Sequence, residues 1–305
     1  MRIVFMGTPE FSVPILETLA QHTDVVLVVS QPAGGAAKPS PVFRAASRLK
    51  LECLRPQRVR DVQERIAAVE PDFIITAAYG QILPRTILDV PKIAPLNVHA
   101  SLLPKLRGGA PVQRAIERRH EQSGISIIEM VEKMDAGGIY AQRAIDIEAD
   151  ETSTSLFEKL ALLGRDLLLD TLPSIASGTL SPVSQNDDEA TFAYNVKPHE
   201  EHLDFNRAAD DVEAKIRALN DVPGPYVLLP DRTRLKIRLA SRSDKDETEV
   251  PGTFLAADRR GMHIQCADGT VLFTAVQPEG KKTMSATAFM NGRGRHLLKP
   301  GVVLT

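Results

Sequence analysis

Short apolar runs alternate with amphipathic stretches through the first half of the chain. Strands are predicted at Arg2–Met6, Asp24–Ser30, Asp72–Ala78, Ile125–Met130 and Ile139–Ile145, with a further strand entered from Ser47–Leu54. Helices are predicted at Pro9–Ala20, Val59–Val69 and Pro111–Arg119, and the capping-box spacing Ser155-x-x-Glu158 opens another through Leu172. The Gly- and Pro-rich segment Pro32–Pro41 is predicted as a loop. Such alternation is typical of a mostly parallel sheet covered by helices.

The pattern changes after Ser177. Residues Ser184–His202 are polar and irregular, which indicates a linker. One helix, Asp210–Leu219, is then followed by strands at Tyr226–Leu229, Leu235–Ala240, Gly252–Ala256, Met262–Ala267 and Val271–Val276. Several short strands with one helix fit a small OB-like β-barrel. The predicted fold is therefore α/β, with a Rossmann-like, mostly parallel N-terminal domain (1–183), a linker (184–202) and a smaller OB-like domain (203–305).

Cations fall at alternate positions in the first long strand of this tail. They are Arg232, Arg234, Lys236 and Arg238. The apolar residues between them, predicted to face the core, are Leu235, Ile237 and Leu239. A charged strand of this kind is either a solvated sheet edge or a surface that contacts nucleic-acid phosphates. Lys281 and Lys282 could extend it.

Composition narrows the class of protein. The chain has 305 residues, a net charge of −2 and a charged fraction of 25%, as in soluble globular proteins. The balance is positive in residues 203–305 and negative before them, so the tail is the better candidate for an anionic partner. Two cysteines far apart, no metal-type Cys/His spacing, no signal-peptide pattern and no membrane-length apolar run lead us to expect a cytoplasmic protein without a metal or membrane association.

The apolar stretch Asn97–Pro104 contains the polar residues Asn97 and His99. Side chains alternate along a strand, so Asn97 and His99 face the same way, roughly 7 Å apart. Gly108 and Gly109 then permit a sharp turn, and Pro111 suits the start of a helix. Open α/β sheets place their ligands at such strand ends. The alternative is a buried strand end whose polar groups satisfy nearby backbone.

These residues carry a family resemblance. Asn-x-His-x-Ser-Leu-Leu-Pro at Asn97–Pro104, Arg-Gly-x-Ala-Pro at Arg107–Pro111, and Asp135–Gly138 resemble the signature of the folate-dependent formyltransferases. Further motifs at Met6–Phe11, Ala78–Pro84 and Gln277–Ala286 extend the resemblance along nearly the whole chain, towards the member that acts on a charged tRNA.

The resemblance implies a function. It implies formyl transfer from 10-formyltetrahydrofolate to methionyl-initiator tRNA by a monomer, with Asn97, His99 and Asp135 as the catalytic residues. Folate-binding residues would be Ser101, Leu102, Leu103, Pro104, Tyr79, Gly80, Ile82 and Leu83. Residues that would contact tRNA are Lys38, Arg232, Arg234, Lys236, Arg238, Lys281 and Lys282.

The implied chemistry suits the residues. The substrate amine is itself the nucleophile, so no Ser or Cys nucleophile is needed, and Ser101 lacks the nucleophile-elbow context. An oxyanion must be stabilised and a proton moved, for which Asn97, His99 and Asp135 are suited. Asp135 could instead be a simple turn residue before two glycines. The loop 31–40 keeps only Lys38 where the family has several cations. A formyltransferase for a small amine, and a non-catalytic folate- or RNA-binding module, remain alternatives.

Overall fold

The computed structural model describes residues 1–32, 38–245 and 248–305, so part of the predicted loop Pro32–Pro41 lies outside the described residues. The chain forms two compact units. The first comprises Met1–Pro111, Gln122–Asp146 and Phe157–Tyr194. The second comprises Val112–Glu121, Ile147–Leu156 and Asn195–Thr305. Across the described ranges, no helix has both the length and the apolar character that crossing a bilayer requires.

A mostly parallel sheet forms the centre of the first unit. Among its described residues, seven strands lie in the order β3-β2-β1-β4-β5-β6-β7. They are β1 (Arg2–Gly7), β2 (Asp24–Val29), β3 (Cys53–Leu54), β4 (Phe73–Ala77), β5 (Ala94–His99), β6 (Gln122–Glu129) and β7 (Ile139–Asp146). Strands β1 to β5 pair in parallel, whereas β6 is antiparallel to both β5 and β7. Every side chain of β4 is buried, as expected for a strand covered on both faces. The predicted parallel sheet is confirmed.

Helices and helical turns connect these strands and continue into the second unit. The α-helices are α1 (Val13–His22), α2 (Pro41–Arg48), α3 (Gln63–Ala68), α4 (Arg85–Leu88), α5 (Pro111–Glu117), α6 (Ser153–Ala176), α7 (Ala209–Leu219), α8 (Ala286–Phe289) and α9 (Arg295–Leu297). Single 3₁₀ turns lie at Glu10–Ser12, Val59–Val62, Asp187–Glu189 and Pro198–Glu201, and a π-type turn lies at Met290–Gly294.

Two helix starts differ from the predictions. Helix α2 was not predicted, yet the Ser40 hydroxyl caps it by accepting from the Phe43 backbone N–H at 3.2 Å, and a proline follows the cap. Helix α6 begins before Ser155, so the predicted capping box is wrong. The Thr152 hydroxyl accepts from the Ser155 N–H at 3.2 Å, and the Ser155 hydroxyl accepts from the Thr152 N–H at 3.1 Å. The capping box therefore begins at Thr152, three residues before the predicted position, and Ser155 takes the place of the usual Glu.

An antiparallel sheet dominates the second unit. Its strands lie in the order β10-β11-β12-β9-β8, with β13 paired to β12. They are β8 (Tyr226–Leu228), β9 (Arg234–Arg242), β10 (Phe254–Ala257), β11 (Met262–Gln265), β12 (Thr270–Pro278) and β13 (Met284–Ser285). Val212 and Ile216 of α7 join Ile237 and Phe273 of the sheet in one buried apolar cluster.

Leu239 does not face the core. Leu235 and Ile237 are fully buried, as predicted, but the side chain of Leu239 is 46% exposed. The pairing register between β9 and β12 shifts around Ala275. Because of the extra residue in β9, the side chains after it point to the opposite face of the sheet. The prediction of three core-facing residues in this strand is therefore wrong at its last position.

Two of the predicted tRNA-binding cations bind the C-cap of α7 and the segment that follows it. Arg238 Nη1 donates to the carbonyls of Asn220 at 2.6 Å and Asp221 at 2.7 Å, and Lys236 Nζ donates to the carbonyl of Pro223 at 2.7 Å. Cations at a helix C-terminus satisfy carbonyls that the helix itself cannot. These contacts give both side chains a structural task within the second unit.

We therefore predict that Arg238→Met lowers the free energy of unfolding by about 2 kcal/mol, because hydrogen bonds from a charged donor are worth about 1.5–3 kcal/mol. Urea unfolding followed by far-UV circular dichroism measures the change. Arg232→Met, at an exposed cation in the preceding turn, is the matched control and should remain within about 0.5 kcal/mol of wild type. Equal effects in the two variants would contradict the capping role.

Candidate functional site

The carboxyl ends of β1, β4 and β5 meet at one edge of the parallel sheet. Thr8 follows β1, and its hydroxyl donates to the carbonyl of Tyr79, which follows β4, at 3.1 Å. Gln31, after β2, donates to the same carbonyl at 2.7 Å. The chain reverses its direction of progress through the sheet between β1 and β4, and crevices at such reversals are where α/β proteins bind ligands. The edge is therefore the candidate site.

The structure brings the three predicted catalytic side chains together at this edge. Asn97 and His99 lie at the end of β5, and Asp135 lies in the turn between β6 and β7. Asp135 Oδ1 is 3.4 Å from Asn97 Nδ2 and 3.6 Å from His99 Nδ1. The side chains of His99 and Asp135 are 7% and 12% exposed, so water screens the interaction between them little.

Neighbouring groups fix the orientation of Asn97 and Asp135. The Thr76 hydroxyl donates to Asn97 Oδ1 at 2.8 Å, which turns the Asn97 amide N–H groups towards Asp135. The backbone N–H of Gly108 donates to Asp135 Oδ2 at 2.8 Å. A site held in this way is preorganised before a substrate arrives.

Both nitrogens of the His99 ring face acceptors. Nε2 lies 3.2 Å from the carbonyl of Leu106, and Nδ1 faces the Asp135 carboxylate. At 3.6 Å, Nδ1 is beyond hydrogen-bond distance of the nearest Asp135 oxygen. The Leu106 carbonyl therefore holds Nε2, and Nδ1 is the ring nitrogen left to donate to an oxygen of the substrate.

A polar segment that the sequence indicated as linker also contributes to this edge. Gln185 Nε2 donates to the carbonyls of Asp135 at 2.8 Å and Gly137 at 2.7 Å. Thr191 Oγ1 accepts from the N–H of Leu106 at 2.9 Å. Sequence reasoning missed both residues, and Thr76 as well, because an isolated polar residue in a strand or a polar segment carries no distinctive spacing.

The predicted folate-binding residues follow β4 and β5. Ser101, Leu103, Tyr79 and Leu83 are buried, Leu102 and Pro104 are partly buried, and Gly80 and Ile82 are exposed. Ser101 Oγ donates to the carbonyl of Lys105 at 2.7 Å, so its hydroxyl is already engaged. Burial raises the pKa of Tyr79 to about 12. Among the described residues, the Tyr79 hydroxyl has no hydrogen-bond partner.

The predicted tRNA-binding cations lie in both units. Lys38 is exposed in the first unit. In the second unit, β9 and β12 are antiparallel and Leu235 pairs with Pro278, so the start of β9 lies beside the turn that follows β12. This places the exposed cations Arg232, Arg234, Lys281 and Lys282 at one end of the sheet. We call these four residues the basic cluster; Lys236 and Arg238 lie deeper, at the end of α7.

Comparison with known proteins gives the class. The formyl transferase family model matches residues 1–172, and the model of the formyl transferase C-terminal domain matches residues 195–294. The chain therefore belongs to the formyl transferase family, and its residues Asn97, His99 and Asp135 lie in the N-terminal match.

Individual relatives are more specific. The chain is similar to the methionyl-tRNA formyltransferase of Enterococcus faecalis, with 40% identity over 97% of both chains. It is also similar to the methionyl-tRNA formyltransferase of Bacillus thuringiensis subsp. konkukian, with 42% identity over 96% of both. The solved structure of HypX from Aquifex aeolicus in complex with tetrahydrofolic acid matches 99% of this chain and 49% of that one, with a TM-score of 0.68 and 16% identity, which is a likeness of fold.

Proposed function

We propose that this protein transfers the formyl group of 10-formyltetrahydrofolate to the free α-amino group of methionyl-initiator tRNA. The observation that carries the proposal is the cluster of Asn97, His99 and Asp135 at the carboxyl edge of the sheet. Near-full-length similarity to enzymes named methionyl-tRNA formyltransferase supports the choice of acceptor.

The folate segments fit a formyl donor of this kind. The exposed Ile82 and the partly buried Leu102 give apolar surface, Gly80 exposes backbone, and the buried Tyr79 hydroxyl has no hydrogen-bond partner among the described residues. Pockets for flat heterocycles combine apolar walls with a few polar groups. When bound, 10-formyltetrahydrofolate supplies an activated formyl carbon. Ser101 to Pro104 and Tyr79 to Leu83 would hold it beside Asn97.

The residues of the chain would then act on charge and protons. The amine nitrogen forms a bond to the formyl carbon, the carbon–nitrogen bond to the folate breaks, and the proton lost by the amine goes to the departing nitrogen. The Asn97 amide and the His99 ring donate to the oxygen on which negative charge develops. Asp135 orients the ring, takes the proton of the attacking amine and returns it to the departing folate nitrogen.

The basic cluster is proposed to contact the tRNA backbone. Reversing the charge of Arg234, Lys281 and Lys282 should weaken tRNA binding and flatten its salt dependence, by roughly 0.9 log units of slope for each duplex phosphate that the protein no longer neutralises. Filter binding across a range of salt concentrations measures both. Arg259→Glu, in a turn of the same unit, is the control for net charge. An unchanged slope in the triple variant would assign the cluster to a solvated sheet edge.

The proposal also covers the fold of each domain, the domain boundaries, the oligomeric state and the localisation. We propose a Rossmann-like first domain, an antiparallel sheet that completes an OB-like barrel, and boundaries at residues 183 and 202. A monomer acting in the cytoplasm suits an enzyme whose two substrates meet there. Size-exclusion chromatography with light scattering tests the monomer.

The decisive test of the function is an acceptor comparison. Purified protein is incubated with labelled 10-formyltetrahydrofolate and either charged initiator tRNA, free methionine or a small amino sugar nucleotide. Formyl transfer should require the charged tRNA. Transfer to the sugar nucleotide instead would identify a small-amine formyltransferase, and no transfer to any acceptor would indicate a binding module.

A further inference from the structure

We propose that Gln185 is a positioning residue, which holds the turn that presents the Asp135 carboxylate to His99 and Asn97. The Gln185 amide nitrogen donates to two carbonyls of that turn, those of Asp135 and Gly137. Asp135 itself has a φ of +52°, a left-handed conformation that is disfavoured for residues other than glycine. The two hydrogen bonds therefore stabilise a backbone conformation that is otherwise disfavoured.

Arg107 determines which way the Gln185 amide points. Its Nε and Nη2 both donate to Gln185 Oε1, at 3.0 and 2.7 Å, and Nη1 donates to Asp187 Oδ1 at 2.8 Å. Because a guanidinium group has no acceptor, the Gln185 oxygen must face Arg107 and its nitrogen must face the turn. The Arg107 side chain is only 1% exposed, so this orientation is fixed within the protein interior.

Asp135 is therefore held at two points, its backbone and its carboxylate. The backbone of Asp135 is held by Gln185, and its carboxylate accepts from the N–H of Gly108, the residue after Arg107. A displacement of the turn by less than 1 Å would lengthen the approaches from Asp135 to Asn97 and His99, which are already 3.4 and 3.6 Å. Misplacement on this scale costs up to about 100-fold in rate.

The inference rests on the proposed function, and the variant Gln185→Glu separates it from a merely structural role. A glutamate matches the size of Gln185 and pairs with Arg107, but its carboxylate cannot donate to either carbonyl of the turn. If Gln185 serves only to satisfy the buried arginine, the variant keeps full activity. If Gln185 positions Asp135, kcat falls by roughly 10- to 100-fold while KM for folate and tRNA changes less than about threefold.

The matched control is Gln122→Glu, at an exposed glutamine whose amide pairs with Asp146 in the same unit. Its kcat should equal that of wild type. Gln185→Leu, which also removes the acceptor of Arg107 Nε and Nη2, should lose both activity and thermal stability. Thermal unfolding of Gln185→Glu should fall less than that of Gln185→Leu, because these two arginine nitrogens keep an acceptor.

An amide resonance tests the positioning without any turnover. The Gly108 N–H donates to Asp135 Oδ2, so its ¹H shift reports the length of that hydrogen bond. It should move upfield in Gln185→Glu and stay in place in Gln122→Glu. An unmoved resonance together with wild-type kcat would overturn the inference. Absence of formyl transfer by the wild-type protein would instead overturn the proposed function, while the Gly108 shift would still decide the positioning.

Discussion

Replacing His99 with alanine lowers kcat by about 100-fold or more and leaves KM for the folate nearly unchanged, because the ring acts mainly on the transition state. In the structure, the Leu106 carbonyl holds His99 Nε2 at 3.2 Å, whereas Nδ1 lies 3.6 Å from the nearest Asp135 oxygen, beyond hydrogen-bond distance. An N–H at Nδ1 would bind an oxygen that becomes negative during the reaction more strongly than a neutral carbonyl oxygen. Its removal therefore weakens binding of the transition state and hardly affects ground-state binding.

Asn97→Ala is expected to have an effect of similar size. The Thr76 hydroxyl holds the Asn97 oxygen, so the amide nitrogen is the group available to donate. Loss of one oxyanion donor typically costs about 2.7–4 kcal/mol. If Asn97 and His99 serve the same oxygen, the double variant should be less active than either single variant but lose less than the product of the two factors.

Steady-state kinetics with charged initiator tRNA measures these losses. His22→Ala, at an exposed histidine at the end of α1 in the same unit, controls for the substitution itself and should retain the wild-type kcat. Near-normal turnover of His99→Ala or Asn97→Ala would remove that residue from the reaction centre. Fully multiplicative effects in the double variant would show that the two groups act on different events.

Alternation of apolar and polar residues was enough to predict the parallel sheet and the common face of Asn97 and His99. Both follow from local rules, since buried parallel strands are continuously apolar and a strand repeats every second residue. Asp135 was different. It lies in a turn after the next strand, and only the family resemblance linked it to His99, because pairing of β5 with β6 is a property of the tertiary fold.

Gln185 and Arg107 show why part of the site was not predictable. A polar segment with 3₁₀ turns has the composition of a linker, and nothing local indicates that one amide in it reaches a distant turn. Arginine is normally exposed, so the near-complete burial of Arg107 could not be expected from its type. The role of each position becomes clear only when the carbonyls and carboxylates around it are known.

The cations of β9 show a second limit of prediction from the sequence. Alternate spacing predicted one charged face of β9 with Arg234, Lys236 and Arg238, but spacing does not show which groups such a face contacts. The segment that follows α7 accepts hydrogen bonds from the last two of these cations. The exposed basic cluster therefore has a different membership from the alternating cations of the sequence, with Lys281 and Lys282 beside Arg234.

Asp135→Asn tests the remaining member of the site with the smallest change in shape. Asn keeps an oxygen that can accept from Gly108, so the turn is expected to persist. The substitution removes the negative charge beside His99 and places an N–H donor near two groups that are themselves donors. We expect kcat to fall about 100-fold or more, since an amide cannot take the proton of the attacking amine.

The ¹⁵N shifts of the His99 ring provide a measurement independent of turnover, because they report the surroundings of each ring nitrogen. The Nδ1 shift should differ between Asp135→Asn and wild type, since Nδ1 is the nitrogen that faces Asp135. Asp89→Asn, at an exposed carboxylate that pairs with Arg85, controls for loss of one charge from the same unit. Unchanged ring shifts and a kcat within threefold of wild type, a ratio worth only about 0.65 kcal/mol, would leave Asp135 as a turn residue, and the partner of His99 would then be the Leu106 carbonyl alone.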